Sequence, residues 1–242
     1  MSEHSLDSQH EDDKAFWLAQ LDSKLTLARS LREAARSRPQ YAQARLALRA
    51  WQSERLARTY ADLLDSERYA PAASFFLQEL YGTHDATERD NEVERIMPTL
   101  EKLLPASGLR VLAHALEMDA LSETLDNAML AQLGNDTALD ATRYARAYRD
   151  CNNPAERVRQ IWLMSEIGHT LDHLTQKPLL GLSLQMMAGP ARLAGLADLH
   201  RFLSRGYQSF RHMQGAAEFL ATIAARETAL METLFFGGSD GL

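Results

Sequence analysis

Apolar residues recur at steps of three and four along nearly the whole chain, and the strict alternation of a half-buried strand does not occur in it. From Lys14 to Arg36, Trp17, Leu21, Leu25 and Ala28 fall on one stripe with no internal Gly or Pro, which predicts an amphipathic helix. Pro39 suits the first turn of a second helix, along which Tyr41, Leu48, Trp51, Leu56, Tyr60 and Leu63 keep the same period. Two long helices joined by a short turn pack antiparallel, so residues 14–64 read as a helical hairpin. Its Trp and Tyr residues share the stripe of the Leu residues and read as packing anchors rather than a ligand box.

The next element is expected over about 67–81, and it contains the run Phe75-Phe76-Leu77-Gln78-Glu79-Leu80-Tyr81-Gly82. Phe76, Leu80 and Tyr81 fall on one side with Phe75 and Leu77 flanking. A helix apolar almost all round belongs inside a bundle. Glu79 needs a partner if it is buried, and Gly82 stands where a C′ glycine ends a helix.

Farther on, 87–104 reads as a helix with Asp90, Glu92 and Glu94 complementing its positive end, kinked or split at Pro98. Ser107 and Ser122 look like N-caps of two successive short helices, the second closed by Gly134-Asn135-Asp136. Helices are then expected over 138–151 and 156–175, separated by Asn152-Asn153-Pro154. The apolar run 178–188 is too short to span a bilayer and reads as a core helix, although Met186-Met187 would also suit an adaptable partner surface. Gly189-Pro190 should open another helix to about Arg205, Gly206 should bend the chain, and Gly215 should start the last helix through Phe219, Ile223, Leu230 and Leu234. The fold class is therefore all-α, a multi-helix bundle of about nine to eleven helices, mostly antiparallel neighbours. Its expected organisation is a disordered acidic tail at 1–13, one helical domain at 14–236 made of the hairpin and a core from residue 67, and a short tail at 237–242.

Composition narrows the setting. The chain has 242 residues, enough for a large core, and no apolar run near the roughly 20 residues of a membrane span. Residues 1–13 are polar and acidic and lack the apolar stretch of a secretory signal. Cys151 is the only cysteine, so no internal disulfide can form, and a cytoplasmic protein is expected. Net charge is −7, yet Arg29 to Arg58 holds eight Arg against Glu33 and Glu54, a local balance of 8 − 2 = +6. These arginines form no block and carry no aromatic-glycine motif, so nucleic acid is not the expected partner. They are expected to face acidic segments of the same chain or of a second copy.

The octapeptide at 75–82 resembles the signature of the bacterial FFLEELY-motif proteins, with Gln78 where that name has Glu. Arg89-Asp90, Leu125-Asp126, Gly189-Pro190-Ala191 and Arg226-Glu227 extend the resemblance over most of the chain after about residue 70. The resemblance implies an all-helical protein and carries no activity with it. Gln78 removes one carboxylate and so weakens a metal site built on a Glu pair in the motif.

Chemistry-bearing patterns are few. Glu166, His169 and His173 lie one turn apart on one expected helix, the spacing of a Glu-x-x-His step and of paired imidazole ligands. A second Glu-x-x-His is missing, so a third ligand would have to come from His114, His200, His212 or a distant carboxylate. No cofactor is predicted; a transition metal is the one this pattern admits. Cys151 has no adjacent His, and neither a Gly-x-Ser-x-Gly elbow nor a phosphate loop occurs. Glu79, Arg89, Asp90, Asp126, Arg226 and Glu227 are expected to meet as a buried polar network that specifies packing, with Phe75, Phe76 and Tyr81 beside it. The leading reading is a non-catalytic interaction or regulatory protein in the cytoplasm, a homodimer through an apolar face or bound to a protein partner. A metal enzyme or sensor on the His169 helix is second, and a bundle holding a small apolar ligand is third.

Overall fold

The computed structural model describes residues 3–37, 39–80, 87–103, 106–134, 138–239 and 241–242, without the side chains of 3–12, 35, 36, 79, 80, 87–90, 100–103 and 178. Among the described residues there are eleven α-helices, one π-helical turn and no strand. The helices are α1 (Glu3–Arg36), α2 (Pro39–Thr59), α3 (Ala61–Asp65), α4 (Ala70–Phe75), α5 (Thr87–Leu103), α6 (Ala106–Leu133), α7 (Ala141–Asp150), α8 (Pro154–Thr175), α9 (Pro178–Leu193), α10 (Ala197–Met213) and α11 (Ala217–Phe235). The π-helical turn Phe76–Leu80 continues α4.

α1 lies along α6, α2 packs on both, and α8 is sandwiched among α6, α10 and α11. Three apolar clusters follow. One joins Leu21 and Leu25 of α1 to Leu109, Ala113 and Leu116 of α6. A second joins Ala44 and Leu48 of α2 to Met129, Tyr144, Tyr148 and Leu234. The third, the largest, gathers Leu56, Tyr60, Phe76, Leu163, Phe210, Phe219 and Leu220. Ile161 touches the second and third clusters and makes them continuous.

The FF pair anchors the third cluster. Phe76 meets Phe210 edge-on at 5.9 Å and stacks on Phe219 at 5.8 Å. Phe75 packs on Phe202 at 5.4 Å and on the backbone of Gly206. Gly206 lies inside α10 and does not bend it; a Cβ there would stand 3.0 Å from the Phe75 ring, so the glycine serves a close approach. Tyr81 and Gly82 of the motif lie outside the described residues, as do Asn135 and Asp136.

Several expected boundaries are corrected. The two short helices expected from Ser107 and Ser122 are one helix, α6, because Ser122 Oγ donates to the Met118 carbonyl at 2.8 Å inside the helix instead of capping a new one. α5 runs through Pro98 and α9 through Pro190. Both prolines are exposed, where a carbonyl that loses its amide partner can bond water. Gly189-Pro190 therefore opens nothing, and the next helix begins at Ala197. The motif helix starts at Ala70 rather than about residue 67. α1 begins at Glu3, ahead of Lys14. At the other end, Leu242 packs against the second cluster.

Local chemistry explains the starts of α8 and of α7, which opens at Ala141 rather than at residue 138. Asp140 accepts from the Arg143 amide at 2.8 Å and caps α7. Asn152 takes a left-handed φ of 48° before Pro154 opens α8. No described helix is long and apolar enough to cross a membrane.

Phe210 is fully buried at the centre of the third cluster. The Phe210→Ala substitution is expected to cost about 3–5 kcal/mol in equilibrium urea unfolding. A loss under about 1 kcal/mol would contradict this packing.

Candidate functional site

The +6 segment is used up largely inside the molecule. Asp119, Glu123 and Asp126 follow one another at four and three residues and line one face of α6. Arg45, Arg49 and Gln52 repeat that spacing on α2. Glu123, 1% exposed, is the meeting point. Arg45 Nη2 donates to its two carboxylate oxygens at 2.7 and 2.5 Å, Arg49 Nη2 at 2.8 Å, and Arg32 Nη1 of α1 at 3.2 Å. Arg32 also reaches Asp119 at 2.9 Å, while Arg49 Nε and Gln52 Nε2 hold Asp126 at 2.9 and 3.2 Å. Burial alone would raise the Glu123 carboxyl, but Arg49 and Arg45 outweigh it and hold the group below its ordinary value of 4.5.

A second pair lies one helical step farther along α2. Arg55 Nη1 and Nη2 donate to Glu227 at 2.7 and 3.3 Å, and the Tyr60 hydroxyl donates to the same carboxylate at 2.7 Å. Between the two pairs is a cavity of about 70 Å³, walled by α2, α6, α7, α8 and α11 and touched by Arg49, Arg55, Asp126, Tyr144, Arg157 and Glu227.

Of the residues expected to form a polar network, Asp126 and Glu227 stand on this one cavity. Arg226 does not: it turns to the surface, donating to the two Asp62 oxygens at 2.7 Å each and to the Thr59 carbonyl at 2.8 Å. The side chains of Glu79, Arg89 and Asp90 lie outside those described. The α2 arginines belong to the basic segment expected to face acidic residues of the same chain or of a second copy, but Glu123 was not singled out as their partner. Their signal was the acid spacing 119–123–126 set against the Arg45–Arg49–Arg55 ladder, concealed once α6 was divided at Ser122.

On α8, Glu166 is half-buried while His169 and His173 are exposed. Among the described residues no three His, Cys, Asp or Glu side chains come together as metal ligands. His114 is held edge-on between Trp17 and Trp162, at 5.6 and 5.4 Å, and burial followed by Arg159 pushes its imidazole below the usual value. His200 Nε2 contacts the Leu184 carbonyl at 2.8 Å and His212 Nε2 the Glu67 carbonyl at 3.0 Å. Burial pushes the Cys151 thiol up, away from the thiolate form. An apolar cavity under Phe76 and Phe219 has about 30 Å³, room for roughly two waters.

The apolar run at 178–188 is not core, which corrects the leading expectation for it. α9 packs only one side, against α10 and α8. Gly181 lets the Tyr207 ring approach, and Ala191 is buried on the same side. Leu179, Leu182, Met186 and Leu193 are 72%, 55%, 69% and 90% exposed. Their spacing of three, four and seven residues places all four on the opposite, outer face.

A family model described as a domain of unknown function, DUF8198, matches residues 31–241. No curated protein and no solved structure matches the chain.

Removing the charge at the meeting point tests the buried layer. Glu123→Gln should lose about 3–5 kcal/mol at pH 7, because Arg45 loses its carboxylate and Arg32 and Arg49 each lose one of two. A carboxyl with a lowered pKa in the folded state stabilises fully above its unfolded value and loses that contribution as pH falls through the folded one. Urea unfolding from pH 7 down to about 3 should therefore show the wild type converging on the variant below pH 4.5. Parallel curves would contradict this.

Proposed function

The chain belongs to DUF8198, a domain family of unknown function, and from that premise we propose that it is a non-catalytic interaction protein of the cytoplasm that works as a homodimer joined through the outer face of α9. The observation that carries the proposal is the exposed stripe Leu179, Leu182, Met186 and Leu193. Each such side chain gains about 1.5–3 kcal/mol when fully buried.

The occupant is a second copy because the stripe is self-complementary. Leu179 and Leu193 lie at equal distances on either side of Met186, so two antiparallel α9 helices related by a two-fold axis at Met186 bring Leu against Leu at both ends and Met against Met at the centre. Between Leu179 and Leu193 the only charged residue is Arg192, and it is off the stripe, so no like charges oppose the pairing. Adjacent Met186 and Met187 supply the pliable side chains such a contact uses.

The remaining finer readings rest on less. A single free thiol at Cys151, needing no oxidising compartment, supports the cytoplasm. The octapeptide at 75–82 supports placing the chain with the bacterial FFLEELY-motif proteins. Glu166, His169 and His173 stay a weaker metal proposal, resting on spacing alone.

Sedimentation analysis of the purified chain at micromolar concentration should give a dimer. Met186→Glu puts two carboxylates together on the axis and should weaken association at least about a hundredfold. Leu203→Glu, on an exposed site of α10, should not change it. A wild-type monomer, or a dimer indifferent to Met186→Glu, would refute the proposal.

A further inference from the structure

The cavity between the two ion-pair groups is lined by a cation that no carboxylate among the described residues neutralises. Arg157 enters it from the first turns of α8 and is only 8% exposed. Its guanidinium lies 4.3 Å over the Tyr148 ring, and Nη1 makes one long contact of 3.5 Å to Gln160 Oε1. Nε and Nη2 are buried and have no acceptor among the described residues. The other arginines on the cavity differ. Arg49 is tied to Glu123 and Asp126, and Arg55 to Glu227, although its Nε too has no acceptor.

Three arginines and two carboxylates therefore reach the cavity, an excess of 3 − 2 = +1. A buried charge without a counter-ion costs several kcal/mol, and here it also lies near the positive end of the α8 dipole, where a cation is disfavoured and an anion is favoured. The arrangement is costly for an empty protein and suited to one that takes up a single negative charge.

The walls indicate what carries that charge. About 70 Å³ is room for roughly five waters, or for a carboxylate with a short carbon chain. Leu56, Leu125, Ile161 and Leu230 also line it and supply apolar wall that a bare oxyanion would leave unused. Tyr148 stands beside the arginine, and burial pushes its phenol up to about 12, so it is a neutral donor at physiological pH. Arg157 lines the cavity, and a turn of its guanidinium would bring Nε and Nη2, buried and without an acceptor among the described residues, to the void as the planar fork that carboxylates accept in pairs.

We propose that this cavity binds a short aliphatic monocarboxylate, its carboxylate on Arg157 and its carbon chain against the apolar wall. The site stands apart from the α9 face, and neither depends on the other.

Calorimetric melting of the full chain in sodium butyrate, against sodium chloride and sodium phosphate at equal ionic strength, tests it. Butyrate at about ten times its Kd should raise Tm by about 3–6 °C over chloride. Arg157→Gln should abolish that rise, and the unliganded variant should melt no lower than wild type, since it removes an unpaired charge. Arg157→Lys, which keeps the charge but not the fork, should respond more weakly than wild type. Equal melting in butyrate and chloride, stabilisation by phosphate but not butyrate, or a butyrate response that survives in Arg157→Gln would each overturn the proposal.

Discussion

A carboxylate at 1% exposure is the constraint on which the amino-terminal half of this bundle depends. Glu123 cannot stay ionised inside protein unless cations come to it, and its cations come from two other helices, α1 and α2. Sliding α2 by one turn along α6 would leave one arginine where Arg45 and Arg49 both stand now and carry the other away from the carboxylates. Apolar stripes alone tolerate such slips, because one Leu replaces another. The charged layer therefore contributes register more than net stability, the best-attested use of buried ion pairs. Tyr41 adds to the same register, its hydroxyl donating to Asn127 at 2.7 Å.

The layer also decides what the basic segment can do. Arg32, Arg45, Arg49 and Arg55 are held by carboxylates of the same chain, and Arg29 pairs with Glu94 at the surface. A segment that reads as a basic patch in sequence thus presents far less charge to solvent than its composition implies. What matters for function is the residue left over. Arg157 was not part of that segment, and it sits where the ladder of pairs along α2 gives way to α7 and α8.

Helical periodicity was legible wherever a stripe met a clear stop: α8 after Asn152-Asn153-Pro154 and α11; the stripe expected to run on through Leu63 is instead divided between α2, which ends at Thr59, and α3. Periodicity failed in two further places for physical reasons. Ser122 has the composition of a cap, yet its hydroxyl can equally bond back within a helix, and only the tertiary context chooses. For α9, an apolar run reports that a face is hydrophobic without reporting what covers it. The same limit applies to the cavity. Asp126 and Glu227 could be named from sequence as polar residues in apolar surroundings, but Glu123 and Arg157 could not, because their burial results from four helices converging. Exposed prolines 98 and 190 show a related limit, since a helix can continue through a proline where the carbonyl it orphans reaches water.

The two faces of α9 make opposite uses of the same composition. On its inner face Gly181 admits the Tyr207 ring, Ala191 is buried, Leu180 and Leu184 are half-buried, and the Leu184 carbonyl accepts from His200 Nε2. The larger residues Leu179, Leu182, Met186 and Leu193 all point outward. A helix selected only to complete the monomer's core would place its bulk inward, where burial stabilises, and polar residues outward. Here Leu180 and Leu184 turn partly inward, yet four large apolar side chains are left on the outer face. Single exposed apolar residues are ordinary on any protein, but four in one register on one helix form a patch, and a patch is what distinguishes a contact surface from background.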